Sequence, residues 1–583
     1  MKKINKNLLF VFLYVFSLFL LSVLRYEFGY CSAWDLGIFS QVVYSLTKGK
    51  FFLYNVEPWW CGRFTCSFFS IHFAPILVLL VPFYYVYPNP LSILIFKFLL
   101  FLGSLFVLSK IVKSILGPEY VYIVLWIYLL HPGIVGSFLF DFHLEDFFPL
   151  FFFVFLYGWI KKDYKICLIS YVLLCLSLEY FPIYMSLIIV SLLLFNDSRK
   201  ITPKLLVVSF LIVLAGFTIY KLETFIINTF RSNVFKNIYL SHDILRNFSL
   251  SNLGYCILGK IIYLLLLFVP FGLIPLLKKP KLLLPLLPWF MLVLFTRNLV
   301  YINIASQYSA FVVPVITMAF LFSLKEIKPD KNKLKYLVVS SFMCGLYLVI
   351  IGSMFLVSLS RPFTGSNTIK VINHYKKGKI VLPDDVFVFY SNSLKTYTIM
   401  PEILYKNKKM RQIIKNWTIK IIEDLNASTI VINYNRLSPT MRFIVLRHIK
   451  GYNLCYYNKG LMVFEKENCG LNFTPENISI DLDKIFGLTL TSGGFVFYRK
   501  KVPYCEFGFE KDLLPGEYIL YVNDHVMDNI LVYPNGSIDN VIKAHNKIKI
   551  NKYGYYVICV NGLKNNTTIH SVILRYVRPI FKN

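Results

Sequence analysis

Charge is scarce in this chain. Of 583 residues, 16% are Asp, Glu, Lys or Arg and the mean hydropathy is +0.60, whereas about a quarter of a soluble domain is charged. That excludes an ordinary soluble enzyme. Acids are the scarcer sign, 31 against 61 basic residues, so the formal net charge is +30. The sequence also lacks a glycine-rich phosphate loop, zinc-type cysteine spacing and a nucleophile elbow, so the chemistries built on those motifs have no residues to run on.

What is present instead is a series of apolar blocks, many near the roughly 20 residues needed to cross a bilayer. They lie at 8–24, 90–112, 119–139, 147–160, 166–179, 180–195, 204–222, 259–277, 281–296, 308–324 and 335–358. They predict an α-helical multi-pass membrane domain over 1–360 with about eleven transmembrane helices. The first block follows Lys2, Lys3 and Lys6 and leads into Arg25-Tyr26-Glu27 rather than a small-residue cleavage site, so it reads as an uncleaved anchor. With the N-terminus cytoplasmic, every second connection is basic: Lys110 and Lys113; Lys161, Lys162 and Lys165; Arg199, Lys200 and Lys204; Lys278, Lys279 and Lys281; Lys325 to Lys335. This is the pattern the insertion machinery imposes on cell-membrane proteins. Orientation thus accounts for these basic residues, and no nucleic-acid partner is expected.

The same alternation places the chain after 360 outside the cell. Acceptor sequons at Asn416, Asn426, Asn472, Asn477, Asn535, Asn565 and Asn566 agree with that side. Cys31, Cys61 and Cys66, and Cys455, Cys469, Cys505 and Cys559, fall where pairing is allowed, with connectivity left open. Runs at 386–390 and 429–433 read as strands, and 402–424 and 439–449 as helices, predicting an extracytoplasmic α/β domain over 361–470. Over 471–583, β-rich segments separated by Pro515-Gly516, Pro534-Asn535-Gly536 and Asn561-Gly562 predict a β-sandwich-like domain, either a spacer or a glycan binder.

The acids of the membrane half collect on the outer side. The first outer loop, 25–89, contains Asp35 and His72, and its helical spacing from Leu36 onward predicts amphipathic helices along the membrane surface. An Asp on such a helix is ordinarily a solvated or capping group. In the second outer connection Asp141 and Glu145 share one face if helical, with His143 close enough to share a pocket or a metal ion. The plain alternative is an acidic helix cap. Glu179 breaks two apolar segments, where an acid is costly unless paired or wet. Lys97, Arg297 and His72 are cations placed to meet a lipid phosphate, although snorkelling accounts equally for Lys97. A ring of acids with histidines and cations at an outer membrane face suits transfer chemistry on a lipid-anchored substrate.

These residues also carry a resemblance. Trp34-Asp35-Leu36-Gly37-Ile38-Phe39-Ser40-Gln41, His72-Phe73-Ala74-Pro75 with Pro82-Phe83-Tyr84, Phe142-His143-Leu144-Glu145, Leu178-Glu179-Tyr180, and Gln307-Tyr308-Ser309-Ala310 with Pro314 occur in that order over about 25–320. In this the sequence resembles a domain-of-unknown-function family of prokaryotic multi-pass membrane proteins related to the GT-C glycosyltransferases, including protein mannosyltransferases and oligosaccharyltransferases. The resemblance implies a polyprenyl-phosphate sugar donor and an extracytoplasmic glycan, lipid or protein acceptor. It implies Asp35 as catalytic base with Glu179 in the catalytic set, and His72, Gln307 and Tyr308 as substrate-binding residues; Lys97 and Arg297 join these by their place at the outer face, Lys97 standing where the family pattern has a neutral residue. Asp141, His143 and Glu145 become substrate contacts, or with Asp35 the ligands of a divalent metal ion. A single Asp at 35, where many GT-C enzymes have paired acids, leaves metal use open. A transporter or lipid flippase, and a non-catalytic envelope protein, share the multi-pass pattern; the absence of an evident internal repeat and the one-sided acids weigh toward the transferase.

Overall fold

The computed structural model describes residues 6–195, 201–235, 252–359, 365–401 and 408–433, and most of 437–579 between short gaps. The chain forms two units. One comprises Met1–Gly365 with Asp385–Leu394, the other Ser366–Asp384 with Lys395–Asn583.

The first unit is helical, and each of the eleven apolar blocks contains helix. Long runs of Leu, Phe and Ile propagate helix, while prolines mark the starts, as where Pro90 opens a helix whose preceding Asn89 side chain accepts from the Leu91 amide at 2.9 Å. Among the described residues four helices are long and apolar enough to cross a membrane: Lys6–Glu27, Pro90–Ile115, Pro203–Phe230 and Ser309–Ile327. A fifth arises if Pro118–Leu129 and Pro132–Leu139, bent by 61°, count as one span. Pro132 causes that bend, since its ring cannot continue the helix, and the His131 ring accepts from the Gly133 amide to cap the new one. Phe148–Lys161, Tyr164–Cys175 and Phe181–Phe195, at 14, 12 and 15 residues, fall short of the roughly 20 a crossing requires. Ser309–Ile327 is the hub, buried at every position from Ser309 to Leu324. Like Pro90–Ile115 and Phe148–Lys161, it carries a lysine in its last turn.

Two local expectations change. Ile38–Thr47 is a helix, but it is not a surface amphipath, for every residue from Leu36 to Val43 is buried. Segment Asp385–Leu394 covers it: Ser391 Oγ donates to Ser40 Oγ at 2.7 Å, and Gln41 donates to the Ser393 carbonyl at 2.7 Å. That segment, expected as a strand at 386–390, is instead helical turns, Asp384–Phe387 and Val388–Tyr390. Val386, Phe387, Val388 and Tyr390 all bury, and burying consecutive side chains on one helical turn overrides their β propensity.

The second unit opens with a six-stranded sheet. Ile380–Pro383 lies parallel to both Thr396–Ile399 and Thr429–Asn433, and the sheet continues antiparallel through Leu461–Glu465 and Asn453–Asn458. Helices Lys408–Glu423 and Pro439–His448 connect these strands. The remainder is β-rich, with Gly516–Val522 paired to Val572–Pro579 and Gly554–Val560 paired to both Phe507–Leu513 and Ile530–Pro534. Of the sequons, Asn535, Asn565 and Asn566 lie outside the described residues.

Helix Pro132–Leu139 approaches the hub through glycine. A Cβ on Gly133 would stand 3.0 Å from Ser309 and Val313, and one on Gly136 would collide with the Ala305 backbone. Gly136→Ala should therefore lower stability by about 1–3 kcal/mol, read as a lower thermal midpoint in detergent.

Candidate functional site

The connections that hold Asp35, His72, Asp141 to Asp146, Glu179 and Gln307 come together in the helical unit. Their arrangement begins with Lys97, which is 4% exposed on the helix Pro90–Ile115. Its ammonium pairs with Asp146 Oδ2 at 3.1 Å and donates to the carbonyls of Ser137 and Phe140, both at 2.9 Å. Asp146 in turn accepts from the His143 amide at 2.9 Å. A buried ammonium must be paired and hydrogen-bonded, so the 140–146 connection wraps around it. The result is an extended stretch followed by the single 3₁₀ turn Leu144–Phe147. Asp141 and Glu145 thus do not share a helical face, as their spacing had implied; they point to different partners.

Asp141 faces Arg25 at 3.6 Å and accepts from the Ser32 amide at 3.3 Å. Glu145 accepts from the Tyr180 hydroxyl at 2.8 Å. His143 turns its Nε2 to Asp35 Oδ1 at 3.2 Å, while Nδ1 lies 3.3 Å from the Asp141 carbonyl. Both ring nitrogens face acceptors, which selects the imidazolium. Asp35 sits on the single π-helical turn Ala33–Gly37, its second oxygen accepting from Ser32 Oγ at 3.2 Å. Burial alone would lower the His143 pKa; the Asp35 carboxylate, with Glu145 and Asp146 behind it, outweighs burial and pushes it up to about 9. Burial would raise Asp35, but the His143 charge holds its carboxyl below the usual range. On the other side, His72 Nδ1 lies 3.0 Å from Glu179 Oε1. Burial opposes its charge, yet Glu179 holds His72 above its ordinary value. Burial raises Glu145, beyond what His143 and Tyr180 restore.

These groups open onto one cavity of about 410 Å³, within the range of small-molecule sites. His72, His143, Glu145, Glu179, Gln307 and Tyr308 line it, and Asp35 stands behind His143. Gln307 Oε1 is buried there without a hydrogen-bond partner. The facing wall is aromatic: Trp289 lies 5.0 Å from Tyr308 and 5.2 Å from Phe311 between ring centroids, a surface suited to the apolar face of a sugar ring. Lys97 and Arg297 are not in that lining. Lys97 is committed to Asp146 and backbone carbonyls, and Arg297 is exposed, donating to Asn252 at 2.6 Å and resting on Tyr255.

The arginine in the cavity wall is Arg231, 6% exposed, which sequence reasoning missed. Its Nε donates to the Ser70 carbonyl at 2.8 Å and its guanidinium lies 5.1 Å from the Trp60 ring centre. The available signal was its position just past the apolar helix Pro203–Phe230, at the end where the alternation disfavours basic residues. Asp146 and Tyr180 were also missed. They matter through partners distant in sequence, which no local pattern reveals.

A metal ion was a further expectation. Asp35 and His143 pair with each other, Asp141 turns to Arg25 and Glu145 to Tyr180, and as they stand the four do not converge on a common point. Among the described residues the converging set is Cys455, Glu465 and Cys469 in the second unit, where the two cysteines form a disulfide. A second disulfide joins Cys61 to Cys66.

The family model "Predicted membrane protein (DUF2079)" matches residues 29–381, the stretch holding every cavity residue. The chain belongs to the DUF2079 family. Among curated proteins none matches it in sequence. Solved structures similar to this DUF2079 chain include ArnT from Cupriavidus metallidurans bound to undecaprenyl phosphate, at 11% identity and a TM-score of 0.47, covering 80% of this chain and 99% of that one. The arabinofuranosyltransferase AftD from Mycobacteria aligns at 8% identity and 0.43, over 97% and 61%. The Archaeoglobus fulgidus oligosaccharyltransferase in complex with Zn and sulfate aligns at 8% and 0.37, over 97% and 98%.

Two predictions follow from the charges. The His143 pKa is raised by folding, so the Asp35–His143 pair contributes fully below about pH 6.5 and is lost as pH climbs through about 9. The thermal midpoint of the wild type should fall across pH 7 to 10, and His143→Gln should flatten that fall. Lys97→Met strands the buried Asp146 carboxylate and should cost about 3–5 kcal/mol, whereas the paired change Lys97→Met with Asp146→Asn should recover much of it.

Proposed function

We propose that this DUF2079 chain is a membrane glycosyltransferase that moves a sugar from a polyprenyl-phosphate donor to an extracytoplasmic glycan, lipid or protein acceptor. The observation that carries the reading is the lining of the cavity: the His143 imidazolium backed by the Asp35 carboxylate, the buried Arg231, and the aromatic rings of Trp289 and Tyr308. In this reading the membrane domain spans 1–360 with eleven crossings and a cytoplasmic N-terminus, and the site faces outward. The α/β domain at 361–470 and the sandwich-like domain at 471–583 are extracytoplasmic. Helices too short to cross alone would span by bending or through their flanking turns, and the bent pair Pro118–Leu129 and Pro132–Leu139 would cross as one broken span.

Asp35 is the base. It takes the proton of the acceptor hydroxyl as that oxygen attacks the anomeric carbon; the bond from that carbon to the phosphate oxygen breaks, and the electron pair leaves with the polyprenyl phosphate. Attack opposite the leaving group inverts the anomeric centre. A carboxylate held below the usual range suffices, because the hydroxyl becomes acidic as the new bond forms. His143 keeps Asp35 aimed and charged. Arg231 and His72 meet the charge that develops on the departing phosphate, in a site dry enough to make those contacts strong. Glu145 and Glu179, held by Tyr180 and His72, offer oxygens to sugar hydroxyls, as does Gln307 Oε1. The Trp289–Tyr308 wall supports the ring.

Asp35→Asn should reduce transfer from a polyprenyl-phosphate sugar by about 10²-fold or more while leaving binding of the lipid intact, measured by photo-crosslinking with a polyprenyl-phosphate probe and by turnover in proteoliposomes. Arg231→Gln should weaken the crosslink itself. Undiminished turnover by Asp35→Asn would rule out the base assignment.

A further inference from the structure

One buried acid stands apart from the cavity lining and has no role in the steps above. Glu57 is 8% exposed. Its Oε1 accepts from the Trp34 indole at 2.9 Å and its Oε2 from the Trp60 indole at 3.2 Å. Trp34 immediately precedes Asp35 on the turn Ala33–Gly37. Trp60 carries the Arg231 guanidinium over its ring at 5.1 Å. Its carbonyl also accepts from the Ser232 amide at 2.8 Å, and the Trp59 carbonyl accepts from Ser232 Oγ at 3.4 Å. The loop is closed behind Trp60 by the Cys61–Cys66 disulfide, and Arg231 is fixed on its far side by the Ser70 carbonyl.

We propose that Glu57 is a positioning residue that sets the separation between the Asp35 turn and Arg231 through its two tryptophans. The inference rests on the glycosyltransferase reading for its purpose, and on the observed contacts for its geometry. A carboxylate is the group that can do this. Both indoles donate only, and one carboxylate offers acceptor sites on two oxygens. A glutamine of the same shape offers one oxygen and would turn an amide N–H toward the second indole. A buried carboxylate that served local folding alone would not need two such partners, one adjacent to Asp35 and the other stacked on Arg231.

The test uses the full chain in lipid nanodiscs. Hydrogen exchange read by mass spectrometry should show Glu57→Gln accelerating exchange both at 32–38 and at 231–235, two segments far apart in sequence, with 309–327 unchanged. Trp34→Phe should loosen only the first segment and Trp60→Phe only the second, which separates a two-armed clamp from general destabilisation. Acceleration confined to residues beside 57, or spread into 309–327 by both tryptophan variants, overturns the proposal. Undecaprenyl phosphate then serves as the probe for consequence. Glu57→Gln and Arg231→Gln should each weaken its binding about tenfold, and the double variant should be no weaker than Arg231→Gln alone, since the first acts through the second. Additive losses would overturn the link to Arg231. Failure of the wild type to bind undecaprenyl phosphate would count against the transferase reading and leave the exchange result standing, so the two failures are told apart.

Discussion

A single ammonium in an apolar helix organises the functional end of this molecule. Lys97 cannot be left bare among phenylalanines, and the groups that satisfy it are Asp146 and the carbonyls of Ser137 and Phe140. Gathering those groups closes helix Pro132–Leu139 and draws the following connection out straight. The side chains of that connection then leave in different directions: Asp141 toward Arg25, His143 toward Asp35, Glu145 toward Tyr180. A residue that looked from its position like a phosphate ligand or a snorkelling lysine is instead the post around which the site is folded.

The charges nearer the cavity are balanced pairwise. Asp35 with His143 and Glu179 with His72 are two carboxylate–imidazole pairs, and each carboxylate holds its histidine's pKa above the ordinary value against the cost of burial. Arg231 supplies the remaining positive charge, steadied by a π face and a carbonyl. An apolar helical frame can tolerate this density of charge because each group finds its partner within the same few connections. The aromatic wall built on Trp289, Tyr308 and Phe311 requires no such matching, and it packs directly onto the start of the buried helix Ser309–Ile327.

How much was legible in advance differs by residue. Asp35, His72, His143, Glu145, Glu179, Gln307 and Tyr308 were all singled out in the sequence, and the fold brings them to one place. Arg231 was passed over because a lone arginine after an apolar helix carries no motif. Val386 to Tyr390 reads as a strand by composition, yet it folds as helical turns because packing over Ser40 and Gln41 rewards burying Val386, Phe387, Val388 and Tyr390 together. The amphipathic pattern after Leu36 was real, but the same segment covered its polar face.

By itself, then, the sequence determined the class of the molecule: apolar blocks must form helices where water is excluded, and β-rich runs follow. It also determined which unusual residues, acids and histidines among leucines, demanded an explanation. Only the tertiary structure decided their roles, because pairing of buried charge is a contact between residues far apart in sequence. Lys97 meets Asp146, Asp35 meets His143, and Glu57 joins Trp34 to Trp60. No spacing along the chain encodes which acid takes which cation; that choice is made by the distances at which the helices come to rest.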